Sequence, residues 1–362
     1  MLKPFQTREE DIVRISHSSL RTTILAIFQK IGLSDEDCGI LADCIVSTDL
    51  RGVETHGAST AVQAYVNRYR VGTCNLRPQP KIVRQTPGTA VIDGDNGLGV
   101  IQSVKAMRLA IEKARTVGVG VVTAYNCANT GAIGTYAELA VRENMVGMCM
   151  SGGIQSSGGV LPTGGAEGRL GTNPIAFAAP AGQEPRFLFD VATSAVAGGK
   201  LNLAKRLGTN LLPGWIADER GVPIMTEGPI PAKYFRLPLG STREFGSHKG
   251  YGFSMMVVVM GAMLAGRGMS DGGEGGSAHH FAAYNISAFT ELETFKKNMD
   301  TALRTLRETK PAPGHDRVVY AGLLAYEEEQ RRRANGIPLH RDVVKYLDGI
   351  ASEMGGGRVG RV

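Results

Sequence analysis

The chain has 362 residues, enough for about two domains and a large core, so folding needs neither disulfides nor a structural metal. Apolar residues at 43% and charged residues at 20% exclude a disordered or collagen-like chain, while 48 glycines point to many turns and close backbone approaches. The net charge of +6 is scattered, without a basic stripe interleaved with aromatics, which argues against a nucleic-acid partner.

Five cysteines (Cys38, Cys44, Cys74, Cys127, Cys149) form no C-x-x-C pair, against both a disulfide framework and a zinc site. The opening MLKPFQTREEDIVRI lacks the apolar core of a signal peptide. Phe253 to Ala265 is interrupted by Ser254 and Gly261 and is too short to span a bilayer. No membrane role and a cytoplasmic setting are therefore expected.

Leu20, Ile24, Leu25, Ile27 and Phe28 follow the helical period and predict a helix over 18–31. Ser34 with Asp37 three residues on resembles a capping box and opens a helix over 35–48. Val62, Ala64, Tyr65 and Tyr69 predict a third over 59–71, after the polar link Asp49 to Gly57. From about residue 80 the texture changes. Short β-rich runs occur at 89–93, 119–125, 145–150, 174–180 and 186–191, with helical runs at 101–116 and 132–143 between the first three. This is an α/β pattern, and a mixed sheet fits it better than a parallel one. Residues 151–165 read as a loop without periodicity. Helices are predicted over 248–266, 288–307, 318–334 and 340–353, and Asp271–Gly276 as a flexible connection, a mobile lid or surface loop. The expected organisation is a helical part over 1–80 that packs with C-terminal helices over 286–362, around a central α/β domain over 81–285.

Several familiar motifs are missing. No G-x-G-x-x-G occurs; Gly94-Asp-Asn-Gly97-Leu-Gly99 has the spacing reversed, and a tight strand-to-helix turn explains it equally well. Gly199-Lys200 lacks the rest of a phosphate loop, and neither H-E-x-x-H nor G-x-S-x-G is present. The seven histidines show no metal-ligand spacing, so no metal is expected. His279-His280 could ligate weakly, but in a glycine loop the pair reads as solvated.

Three stretches taken together are specific: DLRGVETHGAST (49–60), GGAEGRLGTNPIAFAAP (164–180) followed by FDVATSAVAGGK (189–200), and PLGSTREFGSHKGYGFSMMV (238–257). With NGIPL (335–339) they resemble the malate/L-lactate dehydrogenase-like family of NAD(P)-dependent oxidoreductases, over residues 10 to 350. The resemblance implies a non-Rossmann α/β fold, with a central mixed-sheet cofactor domain flanked by helices from both chain ends. It also implies a homodimer, NAD or NADP as cofactor, and a small 2-oxo or 2-hydroxy acid, or a related ketone or imine, as substrate.

Taken alone, His56 reads as a helix-end histidine satisfied by backbone. In Thr55-His56-Gly57, similar to the family's Ser-His-Gly, the resemblance makes it the proton donor in reduction and acceptor in oxidation. Imidazole suits that task because its unperturbed pKa of about 6.5 lets both forms exist near neutrality. Asn129 stands where the family has a second histidine; an amide can donate to a carbonyl oxygen but supplies no proton. Thr60 stands where the family has an arginine that grips a carboxylate. A hydrogen bond to a charged group is worth roughly 1.5–3 kcal/mol, so its loss weakens acid binding about ten- to a hundredfold unless replaced. Arg51, His248 or Lys249 are the candidates for replacing it, or the substrate lacks that carboxylate. Thr55, Thr60 and Arg51 thus form the expected substrate side.

The cofactor side rests on Asp190, Ala192, Thr193 and Ser194, where Thr193 or Ser194 can cap a following helix whose N–H groups suit pyrophosphate. His248, Lys249 and Gly250 open another helix, although Lys249 alone would read as a surface lysine. Gly314 and His315 match the family's cofactor-contacting turn loosely, His315 replacing an acidic residue. Gly171-Thr172-Asn173-Pro174 reads as floor of the cleft. A second reading, carried by Thr60 and Asn129, is a dinucleotide-binding homologue with altered or lost catalysis, acting as a sensor or structural partner.

Overall fold

The structure, a computed structural model, describes residues 8–155, 159–268, 278–353 and 359–362. Its N-terminal helices form where caps and apolar spacing predict them. After β1 (Ile12–Ile15), the Ser16 hydroxyl accepts the Ser19 N–H at 3.1 Å and opens α1 (His17–Ile31), which buries Leu20, Ile24, Ile27 and Phe28. Gly32 closes that helix in the left-handed conformation, φ 106°. The Ser34 hydroxyl accepts the Asp37 N–H and opens α2 (Asp35–Leu50). A 3-10 turn, Glu54–His56, precedes α3 (Ala61–Arg70).

Next come β2 (Lys81–Gln85), β3 (Thr89–Gly97), α4 (Gly99–Val117), β4 (Val119–Cys127), α5 (Gly134–Arg142) and β5 (Met145–Gly152). They are followed by β6 (Ile175–Ala179), β7 (Phe187–Val191), α6 (Gly198–Leu207) and the two-stranded β8 (Ile216–Ala217) and β9 (Phe235–Arg236). Helix α7 (Ser247–Val258) runs into a π turn, Val259–Met263, and then comes β10 (Ala278–Asn285). The chain closes with α8 (Leu292–Arg307), α9 (Leu323–Asn335), β11 (Ile337–His340) and α10 (Arg341–Glu353).

Seven strands make one sheet in the order β2-β3-β4-β10-β5-β6-β7. Only β3 and β4 pair in parallel, with α4 as the crossover, and every other neighbour is antiparallel. The sheet is mixed, as expected. Helix α4 buries Val104, Met107, Ala110, Ile111 and Ala114, and α4 and α5 pack on the sheet. The chain ends meet, β1 lying antiparallel to β11 (Ile15 opposite Ile337) and α1 packing on α10.

Strand β10 corrects one expectation. His279 and His280 are not solvated but buried, paired between β4 and β5 at the centre of the sheet. Two histidines near its start and the glycine run before it in the sequence hide the strand's apolar character. The segment expected as a lid, Asp271–Gly276, lies outside the described residues. The Gly94–Gly99 stretch is a tight strand-to-helix junction, Gly97 ending β3 and Gly99 opening α4. Asp95 and Asn96 adopt φ 51° and 52° and shift the register against β4. Among the described residues no helix is long and apolar enough to cross a membrane, and no group of three acidic, His or Cys side chains could hold a metal ion.

Candidate active site

The link after α2 is held from inside and outside. Within, the Asp49 carboxylate accepts the Ala58 N–H at 2.8 Å. Gly57 lies so close that a Cβ there would sit 1.8 Å from Asp49 Oδ1. Outside, Arg332 of α9 donates to the Asp49 carbonyl at 2.8 Å and to Glu54 Oε1 at 2.9 Å, and it also bonds Glu328. Burial pushes the Asp49 carboxyl up to about 7, against the opposing pull of the Ala58 N–H and Arg332.

This link presents His56. Its Nδ1 lies 2.9 Å from the Thr55 hydroxyl, so Nε2 is the nitrogen left for a ligand. The Thr60 hydroxyl donates to the Thr55 carbonyl at 2.9 Å. Thr55 and Thr60 line a cavity of about 50 Å³ with Gly199, Asn202 and His340. Burial lowers the pKa of His56 below its ordinary value, and the charge of Asp190 opposes that shift. Asp190, on β7, accepts the Gly134 N–H at 2.7 Å; burial raises its carboxyl, while that N–H, Arg51 and His56 pull it down.

Asn129 follows β4. Its Oδ1 accepts the Gly131 N–H at 2.8 Å and the Tyr65 hydroxyl at 3.3 Å. The backbone donor requires an acceptor there, so the other end of the amide is the NH₂ donor. Tyr65, Thr130 and Gly131 line a cavity of about 10 Å³ with His56, room for about one water. The Thr130 hydroxyl lies 3.1 Å from Ser151 Oγ, which lies 2.9 Å from His279 Nδ1. Burial pushes His279 down to about 4, so its ring is neutral at physiological pH.

The model of the malate/L-lactate dehydrogenase family matches residues 15–348. The chain belongs to that family. It is 38% identical over 354 residues to a malate dehydrogenase of Pyrococcus abyssi, covering 96% of each chain. It is 34% identical over 339 residues to an L-sulfolactate dehydrogenase of Methanocaldococcus jannaschii, covering 92% of this chain and 94% of the relative. The solved malate dehydrogenase of Pyrococcus horikoshii superposes with a TM-score of 0.87 at 33% identity, over 98% of this chain and 99% of that one.

Within this malate/L-lactate dehydrogenase family chain, two expectations are corrected. Arg51 does not stand in for the missing arginine at Thr60. It is 4% exposed, donates to the Thr135 hydroxyl at 2.6 Å and pairs with Glu138 at 3.5 Å. Thr193 and Ser194 do not cap α6, which begins at Gly198 behind Ala197. The Thr193 hydroxyl donates to the Thr172 and Asn173 carbonyls at 3.0 Å each, and the Ser194 hydroxyl to the Val196 carbonyl at 2.8 Å. Ala192 precedes them, half-buried.

His248 and Lys249 are exposed at the start of α7. Gly250 allows a close approach, but to its own chain, because a Cβ there would lie 2.3 Å from the Leu239 carbonyl oxygen. Gly314 and His315 form an exposed turn, the His315 N–H bonding the Ala312 carbonyl at 3.1 Å. Asn173 joins the segment after β5 to α7, its amide donating to the Gly153 carbonyl and to Ser254 Oγ. Asp49, Glu54, Tyr65 and Arg332 escaped sequence reasoning because no local motif joins them; Arg332 and Asp49 are 283 positions apart.

Proposed function

We propose that the protein is an NAD(P)-dependent dehydrogenase/reductase interconverting a small 2-hydroxy acid and its 2-oxo acid, or a related ketone or imine. The observation that carries this reading is His56, with Nδ1 on Thr55, no hydrogen bond at its other nitrogen among the described residues and Asp190 acting on its charge. The relatives' names, malate and sulfolactate dehydrogenase, support an acid as substrate.

The donor set fits a dinucleotide. Lys249 is exposed, forms no ion pair among the described residues and opens α7 beside His248, which suits the diphosphate. We propose Lys249, His248, Gly250 and the Asp190–Ser194 segment as the residues that hold the cofactor, on the α/β part spanning 81–285. Bound nicotinamide supplies the hydride chemistry. The chain's own task is the proton.

In oxidation His56 Nε2 takes the hydroxyl proton, and in reduction it returns a proton to the oxygen, with Nδ1 staying on Thr55. Asp190 stabilises the imidazolium formed in between. The Asn129 NH₂ donates to the substrate oxygen and orients it. Positioned proton transfer of this kind is worth about 10²–10⁴-fold in rate. A homodimer is proposed on the exposed apolar side chains Phe253, Met256, Val259, Met263 and Leu264 around α7. Five cysteines, all unpaired, support a reducing, cytoplasmic setting.

The test is oxidation of NADH and of NADPH against a panel of 2-oxo acids and cyclic imines. His56→Ala is expected to lower kcat/KM by about 10²–10⁴-fold while leaving cofactor affinity within a few-fold. Unchanged turnover in that variant would refute the assignment.

A further inference from the structure

Arg236 sits on β9 with its guanidinium packed closely on Gly159 and beside Gly198. A Cβ at Gly159 would lie 2.2 Å from Nη2, and one at Gly198 would lie 3.6 Å from Nη1. Among the described residues its one side-chain hydrogen bond runs from Nε to the Gly159 carbonyl at 3.4 Å. That carbonyl already accepts the Arg236 backbone N–H at 2.8 Å, so the side chain is not needed to satisfy it. No carboxylate among the described residues faces the guanidinium, and burial lowers its pKa from the ordinary value. Arg21, Arg307, Arg317 and Arg331 show the reverse, each raised by a neighbouring acid. Arg236 is half-buried, so part of its hydration is lost with no acid among the described residues to replace it, and a ligand anion would supply that counter-charge.

The position is informative. Gly198 opens α6, and at the next residue, Gly199, a Cβ would lie 2.9 Å from Thr55 Cβ. One helix start therefore borders Arg236 on one side and the neighbour of His56 on the other. Gly199 also lines the cavity that holds Thr55 and Thr60. Those two residues offer hydroxyls alone, and Arg51 is engaged by Glu138.

We propose that Arg236 is an anion-binding residue of the site, its guanidinium fork taking an oxyanion of the bound ligands. The chemistry is that of a carboxylate or a phosphate, either of which matches the fork in bidentate fashion. Under the proposed function, on which this assignment rests for its ligands, the anion is the acidic group of the substrate or the diphosphate of the cofactor.

The experiment titrates the full-length protein with oxalate, malonate and pyrophosphate separately, following thermal unfolding, for the wild type, Arg236→Met and Arg236→Lys. The wild type is expected to gain Tm with at least one of these anions. Arg236→Met is expected to bind that anion at least tenfold more weakly and, having lost an uncompensated charge, to unfold without anion at or above the wild-type Tm. Arg236→Lys keeps the charge but not the fork and is expected to fall between, which keeps the proposal testable if Arg236→Met does not fold. Loss confined to pyrophosphate identifies the cofactor as the source, and loss confined to the dicarboxylates identifies the substrate.

A wild type that responds to none of the three anions, or variants that respond as the wild type does, would overturn the proposal. These titrations need no turnover. A protein inactive on every 2-oxo acid would defeat the proposed activity and still leave the role of Arg236 decided.

Discussion

Asp190 on β7 favours the charged form of His56, on the link between α2 and α3, while burial of both side chains favours their neutral forms. For His56 burial wins. The imidazole stays below its ordinary pKa, so at neutral pH it is mainly the base that oxidation requires.

Oxidation of a 2-hydroxy acid is therefore expected to hold its kcat/KM at neutral pH and to fall only as pH drops through a His56 pKa below about 6.5. Asp190→Asn removes the charge that raises this pKa. The acid limb should move to lower pH, and reduction at neutral pH, which draws on the protonated ring, should slow. A pH–rate profile of the variant with its limb unmoved would separate Asp190 from the proton chemistry.

Gly57 has φ −85° and ψ −165°, extended backbone open to any residue, so its need for glycine is steric. Gly57→Ala drives a methyl group into the Asp49 carboxylate. The expected cost is about 1–3 kcal/mol of stability, together with a fall in kcat as the link carrying His56 shifts. Chemical denaturation and steady-state kinetics check both.

Arg332→Met leaves Glu54 and the Asp49 carbonyl without their common donor. Removing one partner of a buried pair costs about 3–5 kcal/mol. Arg332→Lys should retain part of that stability and part of the activity. If Arg332→Met matched the wild type in Tm and in kcat, the clamp on the link would be dispensable.

Asp49 gives a pH-dependent stability of definite sign. Its folded carboxyl is pushed up to about 7 from an ordinary 3.8. Between those values the unfolded chain releases a proton that the folded chain keeps, so this group makes stability fall as pH rises through the window. Above about 7 the loss is complete. Asp49→Asn lacks the effect, so its stability relative to wild type should grow from pH 5 to pH 8, by a gain on the order of a few kcal/mol. Denaturant titrations giving the same difference at both pH values would contradict the raised carboxyl.

The helices near the N-terminus were legible because their causes are local. Ser34 lies beside the N–H group it caps, and Leu20, Ile24 and Phe28 repeat on one face. The strands of β4 to β7 were legible as short β-rich runs. By contrast β10 reads as a loop, because what makes His279 and His280 a buried strand is the pairing with β4 and β5 on both sides. Arg51 reads as a free cation beside Thr60 until Thr135 and Glu138, from α5, take up its guanidinium.

What the sequence determined by itself was the local chemistry: caps, turns, apolar periods, and the Thr55-His56-Gly57 and Asn129 positions with their family resemblance. The tertiary structure alone decided which charges meet. It set Asp190 against His56, drew Arg332 to the link across 283 positions and left Arg236 without an acid among the described residues. The physical reason is that a cap or a helical period acts within a few residues. The burial and pairing of a charge depend on segments brought together by folding, whose separation along the chain carries no local mark.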